Sequence, residues 1–505
     1  MSTIFRCAGQ GEPRRDATDA YVFVMLLVFP LFTGFRGYAA ITVSKFLFFA
    51  VCTAIWLTCL AVLTLKNRTS ELARVNVAQK CALCFMAVCC ASAAASPYRL
   101  ECILGAGRYD GLVTLLLCVL IFLGTSAFGS FRQCHARAFA LSCTLCCLVA
   151  ALQLMGLNPA GLYPGELRYY DAHLLYSGEF LGTIGNVNML SALLSLAIPL
   201  FFSISVLGWD RYAPLYNFPL FFCVVILTLS RVSGGILAAA FCALCAPALL
   251  VTGPSRARRA LCSAGVCLLA LALSLSFSTE LGTGAHAPRL SFGPAPCLCL
   301  ALCLLCLSSA ALTLRLRRFP SVRSLRFGLG AAAFAVLAAA LCVIWLWPGT
   351  DGTVYELSQA MRGHLEDGFG SSRILIWRNV LALVRDRPLL GGGPGTLPLR
   401  LEITFSRFIP ETGLTLSSFV DNAHNEYLRL LADTGALGLA AYLALLVCAF
   451  ARCFRCLDTV CVCPVLLLSL VCYCIQDFFG LGLCLVSPLF WVFLGLSQSA
   501  PAGRG

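Results

Sequence analysis

Apolar runs of membrane-spanning length recur from one end of the chain to the other, and they limit the possible folds more than any other feature. A helix crossing a hydrocarbon layer of ~30 Å needs ~20 mostly apolar residues. Candidate spans lie at Tyr21–Phe35, Phe46–Leu65, Cys81–Ser96, Gly111–Gly129, Ala138–Met155, Met189–Leu207, Leu215–Leu229, Gly234–Val251, Ala260–Phe277, Pro294–Leu314, Phe327–Trp347, Tyr427–Phe450, Pro464–Cys474 and Leu481–Leu496. Lipid offers no partner for backbone polar groups, so only helices and closed barrels cross it. These runs are continuous rather than alternating, which excludes a barrel. The expected fold is all-α: a polytopic integral membrane protein with 12–14 transmembrane helices. The first, seventh and thirteenth candidates are short.

Composition agrees. The 505 residues are 60% hydrophobic and 12% charged, with mean hydropathy +0.88; a soluble domain carries about 25% charged residues. The 31 cysteines fall mostly inside apolar runs, where they act as small hydrophobes. Two pairs, Cys81/Cys84 and Cys453/Cys456, have CxxC spacing, but neither has the further ligands of a zinc site. The net charge of +13 is spread over loops with no basic stripe interleaved with aromatics, so it reads as membrane topology rather than nucleic-acid binding. No cleavable signal peptide is expected, since Met1–Ala20 is polar and no small-residue cleavage site follows the first apolar run.

Lysine and arginine set the orientation. With the N-terminus inside, the inner segments collect Lys66, Arg68, Arg74, Arg256, Arg258, Arg259, Arg315, Arg317, Arg318, Arg323 and Arg326, among others, and the short outer loops collect far fewer. The expected organisation is a cytoplasmic tail at 1–20, an N-terminal bundle of about eleven spans at 21–348, one large external loop at 349–423, C-terminal spans at 424–498 and a cytoplasmic tail at 499–505. Seven arginines in the loop defy the charge rule, which suits an anionic ligand. A second external segment, Gly156–Asn188, holds Tyr163, Tyr169, Tyr170, His173 and Tyr176, read as membrane-interface residues that can also stack on sugars.

Polar groups concentrate in three places. Asp421–Leu439 puts His424 at the first turn of a span, with Asn422, Asn425 and Glu426 around it, and Asp433, Thr434 and Gly435 then interrupt the apolar face. Arg231 sits between Ser230 and Ser233-Gly234-Gly235, at the outer end of a short run. An arginine at the centre of a span costs ~2.5–3.5 kcal/mol or more, so it must face water, protein or an anion. Arg373 opens a helix whose apolar positions Ile374, Trp377, Val380, Leu381 and Val384 have helical spacing. That helix is expected to lie along the membrane surface, with Ser371 or Ser372 as its cap. Pro388 ends it, and Gly391-Gly392-Gly393-Pro394-Gly395 allows bare backbone to approach a partner closely. A neutral imidazole can take a proton from a hydroxyl, and guanidinium groups bind a diphosphate bidentately. Each residue also has a structural reading: a hydrogen-bonded rim histidine, or arginines snorkelling to lipid phosphate.

These motifs resemble the O-antigen ligase and polymerase superfamily, which includes protein O-oligosaccharyltransferases. The matching stretches are Gly185-Asn186-Val187-Asn188 heading a span, Leu229-Ser230-Arg231, Ser372-Arg373 through Pro394-Gly395, and Ala423-His424-Asn425-Glu426 followed by Gly435 and Gly438. The resemblance covers roughly Gly185–Leu496. It implies a metal-independent, cofactor-free glycosyltransferase of the bacterial plasma (inner) membrane. Its partners would be an undecaprenyl-diphosphate-linked glycan donor, an acceptor in lipid A core, a growing polysaccharide or a protein, and membrane lipids, but no nucleic acid. His424 would be catalytic on the extracytoplasmic face, and Arg231 and Arg373 would hold the donor diphosphate, supported by Asn422, Asn425, Glu426 and Asn186. The Ala260–Leu314 pair of spans departs from the pattern and looks inserted. A transporter or flippase for a lipid-linked glycan is the competing class, disfavoured by the absence of paired repeats.

Overall fold

A computed structural model describes residues 13–66, 75–163, 168–171, 174–177, 180–278, 289–290, 293–313, 320–409, 414–459 and 462–499. Parts of both tails, Arg68, Arg74, His173, Arg315, Arg317 and Arg318 lie outside them. Helices occupy all fourteen apolar runs: α1 (Pro13–Leu27), α2 (Ile41–Lys66), α3 (Val77–Ala95), α5 (Leu112–Phe128), α6 (Gln133–Leu154), α7 (Val187–Leu207), α8 (Asn217–Leu229), α9 (Ser233–Leu250), α10 (Pro254–Ser276), α11 (Pro294–Leu312), α12 (Val322–Trp345), α15 (Glu426–Arg455), α16 (Val462–Asp477) and α17 (Ser487–Leu496). A short α4 (Glu101–Leu104) precedes α5, and the large loop carries α13 (Gly352–Met361), α14 (Phe369–Asp386) and a hairpin pairing Thr404–Ile409 with Leu414–Phe419. Among the described residues, nine helices are long and apolar enough to cross a membrane, and four more apolar helices of 10–17 residues are shorter. Any count in the expected 12–14 therefore includes at least three of the short ones.

The chain is an all-α polytopic membrane protein built around α7. Its sequence is apolar on every side, as a helix needs when no face meets solvent, and the whole span is buried. Helices α8, α9, α10 and α16 pack on it. Because α10 joins both α7 and α8, half of the segment that looked inserted belongs to the core. At the periphery, α12 has no buried residue, so its apolar surface is left for lipid.

The strongest departure from regular helix lies within α15. Gly435 has φ 69 and ψ −174, a region open essentially to glycine alone. The helix breaks there and the glycine-rich loop supplies the missing partners. Gly392 and Gly393 N–H donate to the Ala432 and Asp433 carbonyls at 2.9 Å each, while Ala436 and Leu437 N–H donate to Pro388 O (2.8 Å) and Leu389 O (3.2 Å). Beyond the break, Ala436–Arg455 is twenty residues, about 30 Å at 1.5 Å per residue, which is one hydrocarbon thickness. The nine residues from Glu426 to Thr434 form a separate stretch of about two and a half turns above it.

Candidate functional site

His424 is positioned by a local reversal rather than by a helix. Its φ is 48, a left-handed conformation uncommon outside glycine. It lies before the helix, not in the first turn as expected: Asn425 is the N-cap, its side chain accepting from Leu428 N at 3.1 Å. Asn422 Oδ1 accepts from His424 N at 3.3 Å. Glu426 does not serve the imidazole, because its carboxylate takes two hydrogen bonds from Arg429 (2.8 and 2.6 Å) and one from Gly482 N (2.8 Å).

Arg373 approaches the same place from the loop. Gly370, Ser371 and Ser372 run left-handed at φ 62, 58 and 65, so regular helix begins at Arg373. Neither serine caps it; the Gly370 N–H goes instead to Glu356 Oε2 at 3.0 Å. One turn on, Trp377 Nε1 donates to Ala423 O at 3.0 Å, which ties α14 to the backbone beside His424. Ile376 and Val380 are buried with Leu397, Leu401, Val420 and Ala423. The apolar side of α14 therefore closes a small core within the loop, where a membrane-surface helix was expected.

Electrostatics follow from this packing. Burial lowers the His424 pKa from its usual value to about 4, the Arg373 and Arg108 charges push in the same direction, and Asp421 opposes them. The ring is neutral at ordinary pH and sits within the field of two guanidinium groups. Arg108 was not foreseen. It comes from the loop before α5, and its Nε and Nη2 both lie 2.6 Å from Asp421 Oδ2, three residues before His424. Burial also disfavours the charge on Arg373, a cost that an anionic ligand would relieve.

Arg231 and Asn186 arrive on the same end of the bundle through other helices. Arg231, exposed with φ 54, turns the chain from α8 into α9. Three residues later a Cβ on Gly234 would sit 2.7 Å from Phe479 Cβ. The neighbouring Phe478 ring lies 5.7 Å from Trp377 and 6.4 Å from Tyr427. The Phe478–Phe479 pair thus links the turn after Arg231 to α14 and the start of α15. Asn186 caps α7, its side chain accepting from Asn188 N (2.9 Å) and Met189 N (3.1 Å). It stands at the head of a helix that Gln476 touches through Asn188 O.

Beneath the site lies a buried ionic cluster. Arg429, 2% exposed, binds Glu426 and stands 3.7 Å from Asp110 and 3.6 Å from Asp433. Asp433 also takes Arg400 at 2.8 Å and Gly395 N at 3.0 Å. The cluster joins the α4–α5 loop, the glycine-rich loop and the top of α15. A clue was present in the sequence: Glu426, Arg429 and Asp433 have the i, i+3 and i+4 spacing of one helix face.

Residues 298–443 match the family model described as O-antigen ligase. The match runs from α11 to the middle of α15, so it contains Arg373, the glycine-rich loop and His424, while Arg231 and Arg108 precede it. Among curated proteins, none matches the chain. The segment from α11 to the middle of α15, which carries the capping loop and His424, is thus similar to the O-antigen ligase family.

Proposed function

We propose that this protein transfers a glycan from an undecaprenyl-diphosphate carrier to an acceptor hydroxyl at the outer surface of a bacterial plasma membrane. The observation that supports this most directly is the neutral, half-buried His424 held within the field of Arg373 and Arg108. Arg231 and Arg373 bind the donor diphosphate, and Arg108 adds a third positive group beside it. The acceptor oxygen attacks the anomeric carbon as its proton passes to the His424 imidazole. The bond from that carbon to the diphosphate oxygen breaks, and the electron pair leaves with undecaprenyl diphosphate. The guanidinium groups offset the charge that grows on the leaving oxygen.

The arrangement also makes the base depend on the donor. With the site empty, the arginines oppose a proton on His424. A bound diphosphate offsets them and raises the basicity of the ring at the moment it is needed. His424, Arg373 and Arg108 gather at one end of the bundle, which favours group transfer there over passage of a glycan through the bilayer.

The test is transfer in vitro with purified protein, undecaprenyl-diphosphate glycan and a panel of acceptors: lipid A core, oligosaccharide and a hydroxyl-bearing peptide. His424→Ala abolishes transfer, and Arg373→Ala weakens donor binding by about 10- to 100-fold, the worth of one charge-assisted hydrogen bond of ~1.5–3 kcal/mol. Full activity in the His424 variant would refute the assignment. The acceptor that turns over decides between ligase, polymerase and protein glycosylation.

A further inference from the structure

The opposite end of the bundle carries a second constellation, unrelated to His424. A cavity of about 370 Å³ opens among the ends of α7, α9, α10, α12, α15 and α16, lined by Thr252, Arg256, Arg326, Asp458 and Pro464 among others. Arg326 Nη1 donates to Asp458 at 3.0 Å and its other terminal nitrogen to the same carboxylate. Its Nε–H, however, is buried and has no hydrogen-bond partner. Such a donor normally finds an acceptor. Arg256 makes no hydrogen bond or ion pair among the described residues, yet it is near enough for its charge, added to the Arg326 hydrogen bonds, to help hold the Asp458 carboxyl below its usual range. Two guanidinium groups against one carboxylate leave the cavity one positive charge in excess.

Beside it is an apolar groove of about 530 Å³, lined by Phe241, Leu249, Phe450, Phe454, Leu468 and Val471 among others. Its walls are three of these helices, α9, α15 and α16. Past the end of α9 the lining passes from Leu249 to Thr252, past the end of α15 from Phe454 to Asp458, and on α16 from Leu468 to Pro464, each within three or four residues. The groove and the cavity are therefore neighbours along all three walls. From Phe241 to Leu249 is eight residue steps, about 12 Å at 1.5 Å each, close to the ~15 Å of one leaflet.

We infer that this groove and cavity form a binding site for an anionic glycerophospholipid of the leaflet opposite the candidate active site: acyl chains between α9 and α15 over α16, phosphate on Arg256 and the unpartnered Nε–H of Arg326. An anionic headgroup is singled out over a zwitterionic one by the excess positive charge and by the buried donor, which needs an acceptor. By the arginine distribution this is the cytoplasmic leaflet. The inference does not rest on the transfer reading.

Native mass spectrometry of the full-length, delipidated protein tests it, titrated with dioleoylphosphatidylglycerol or dioleoylphosphatidylcholine. The wild type is expected to hold phosphatidylglycerol at least 5-fold more tightly. Arg256→Gln and Arg326→Gln should each remove most of that preference. Asp458→Asn withdraws the competing carboxylate and should strengthen phosphatidylglycerol binding severalfold, a gain that misfolding does not produce. Leu468→Trp, which fills the groove, should weaken the lipid. Equal binding of the two lipids, no gain in Asp458→Asn, or displacement of the lipid by millimolar inorganic phosphate would each overturn the proposal.

Discussion

The junction between the glycine-rich loop and the broken helix can be tested at Gly435. A methyl group there would lie 2.2 Å from Leu389 O and 2.3 Å from Leu389 C, so Gly435→Ala must either push the loop away or rotate the backbone out of its glycine-only region. Holding alanine in that region costs about 1–3 kcal/mol. Moving the loop breaks the Ala436–Pro388 and Leu437–Leu389 hydrogen bonds, at a net ~0.5–1.5 kcal/mol each, and leaves four backbone groups without partners close to lipid. A total of about 2–6 kcal/mol follows. Gly363 provides the control: its φ is 85 and a Cβ there would meet nothing within 4 Å, so Gly363→Ala bears only the left-handed penalty of about 1–2 kcal/mol. Both variants are purified in the same detergent and compared by denaturant midpoint and by protease cleavage within 388–395. Gly435→Ala should unfold earlier and expose the loop to cleavage, and transfer activity should fall with it. Equal midpoints for the two variants, with the loop still protected, would show that the junction does not hold the cap in place.

Other expectations follow from the site. Because His424 in the empty enzyme titrates near 4, well below 6.5, its neutral form persists on acidification and kcat/KM should stay flat from pH 8 down to about 5. The acid limb of kcat, which reports the donor-bound enzyme, should lie at higher pH, and coincident limbs would contradict donor-assisted basicity. Arg108→Gln removes one of the charges that depress the His424 pKa, so the kcat/KM limb should move up while donor KM rises; an unmoved limb would place Arg108 outside the site. Arg429→Met leaves Asp110, Glu426 and Asp433 without their shared cation and should cost about 3–5 kcal/mol of stability, partly recovered when Glu426→Gln is added. Transfer should withstand EDTA, whereas inhibition reversed by added magnesium would contradict metal-independent transfer.

How much of this could be read beforehand depended on distance along the chain. Each apolar run became a helix because hydropathy is a local property that needs no partner. Asp433-Thr434-Gly435 was legible as an interruption, but not as a break filled by Gly391–Gly395, since the hydrogen bonds joining them cross forty residues. Arg108 stayed hidden for the same reason: its partner Asp421 is 313 residues away, and a lone arginine in a short loop looks like a topology signal. The serines before Arg373 misled because capping residues were present while the three left-handed residues 370–372 moved the helix start past them. Glu426 looked like a companion of His424 through sequence proximity, whereas its partner is Arg429, one turn along the helix.

The break at Gly435 bears on how such a protein can be recombined. Pro388–Gly395 and Glu426–Leu437 complete each other's main-chain pairing, so neither is a self-sufficient module. A chimera that exchanged the extramembrane cap at the conventional border, just before the final group of spans, would cut through the joint and orphan its amides and carbonyls. A graft that carries the cap together with the first dozen residues of the following helix keeps the joint intact, and the natural seam for exchanging specificity therefore lies below the visible edge of the bundle.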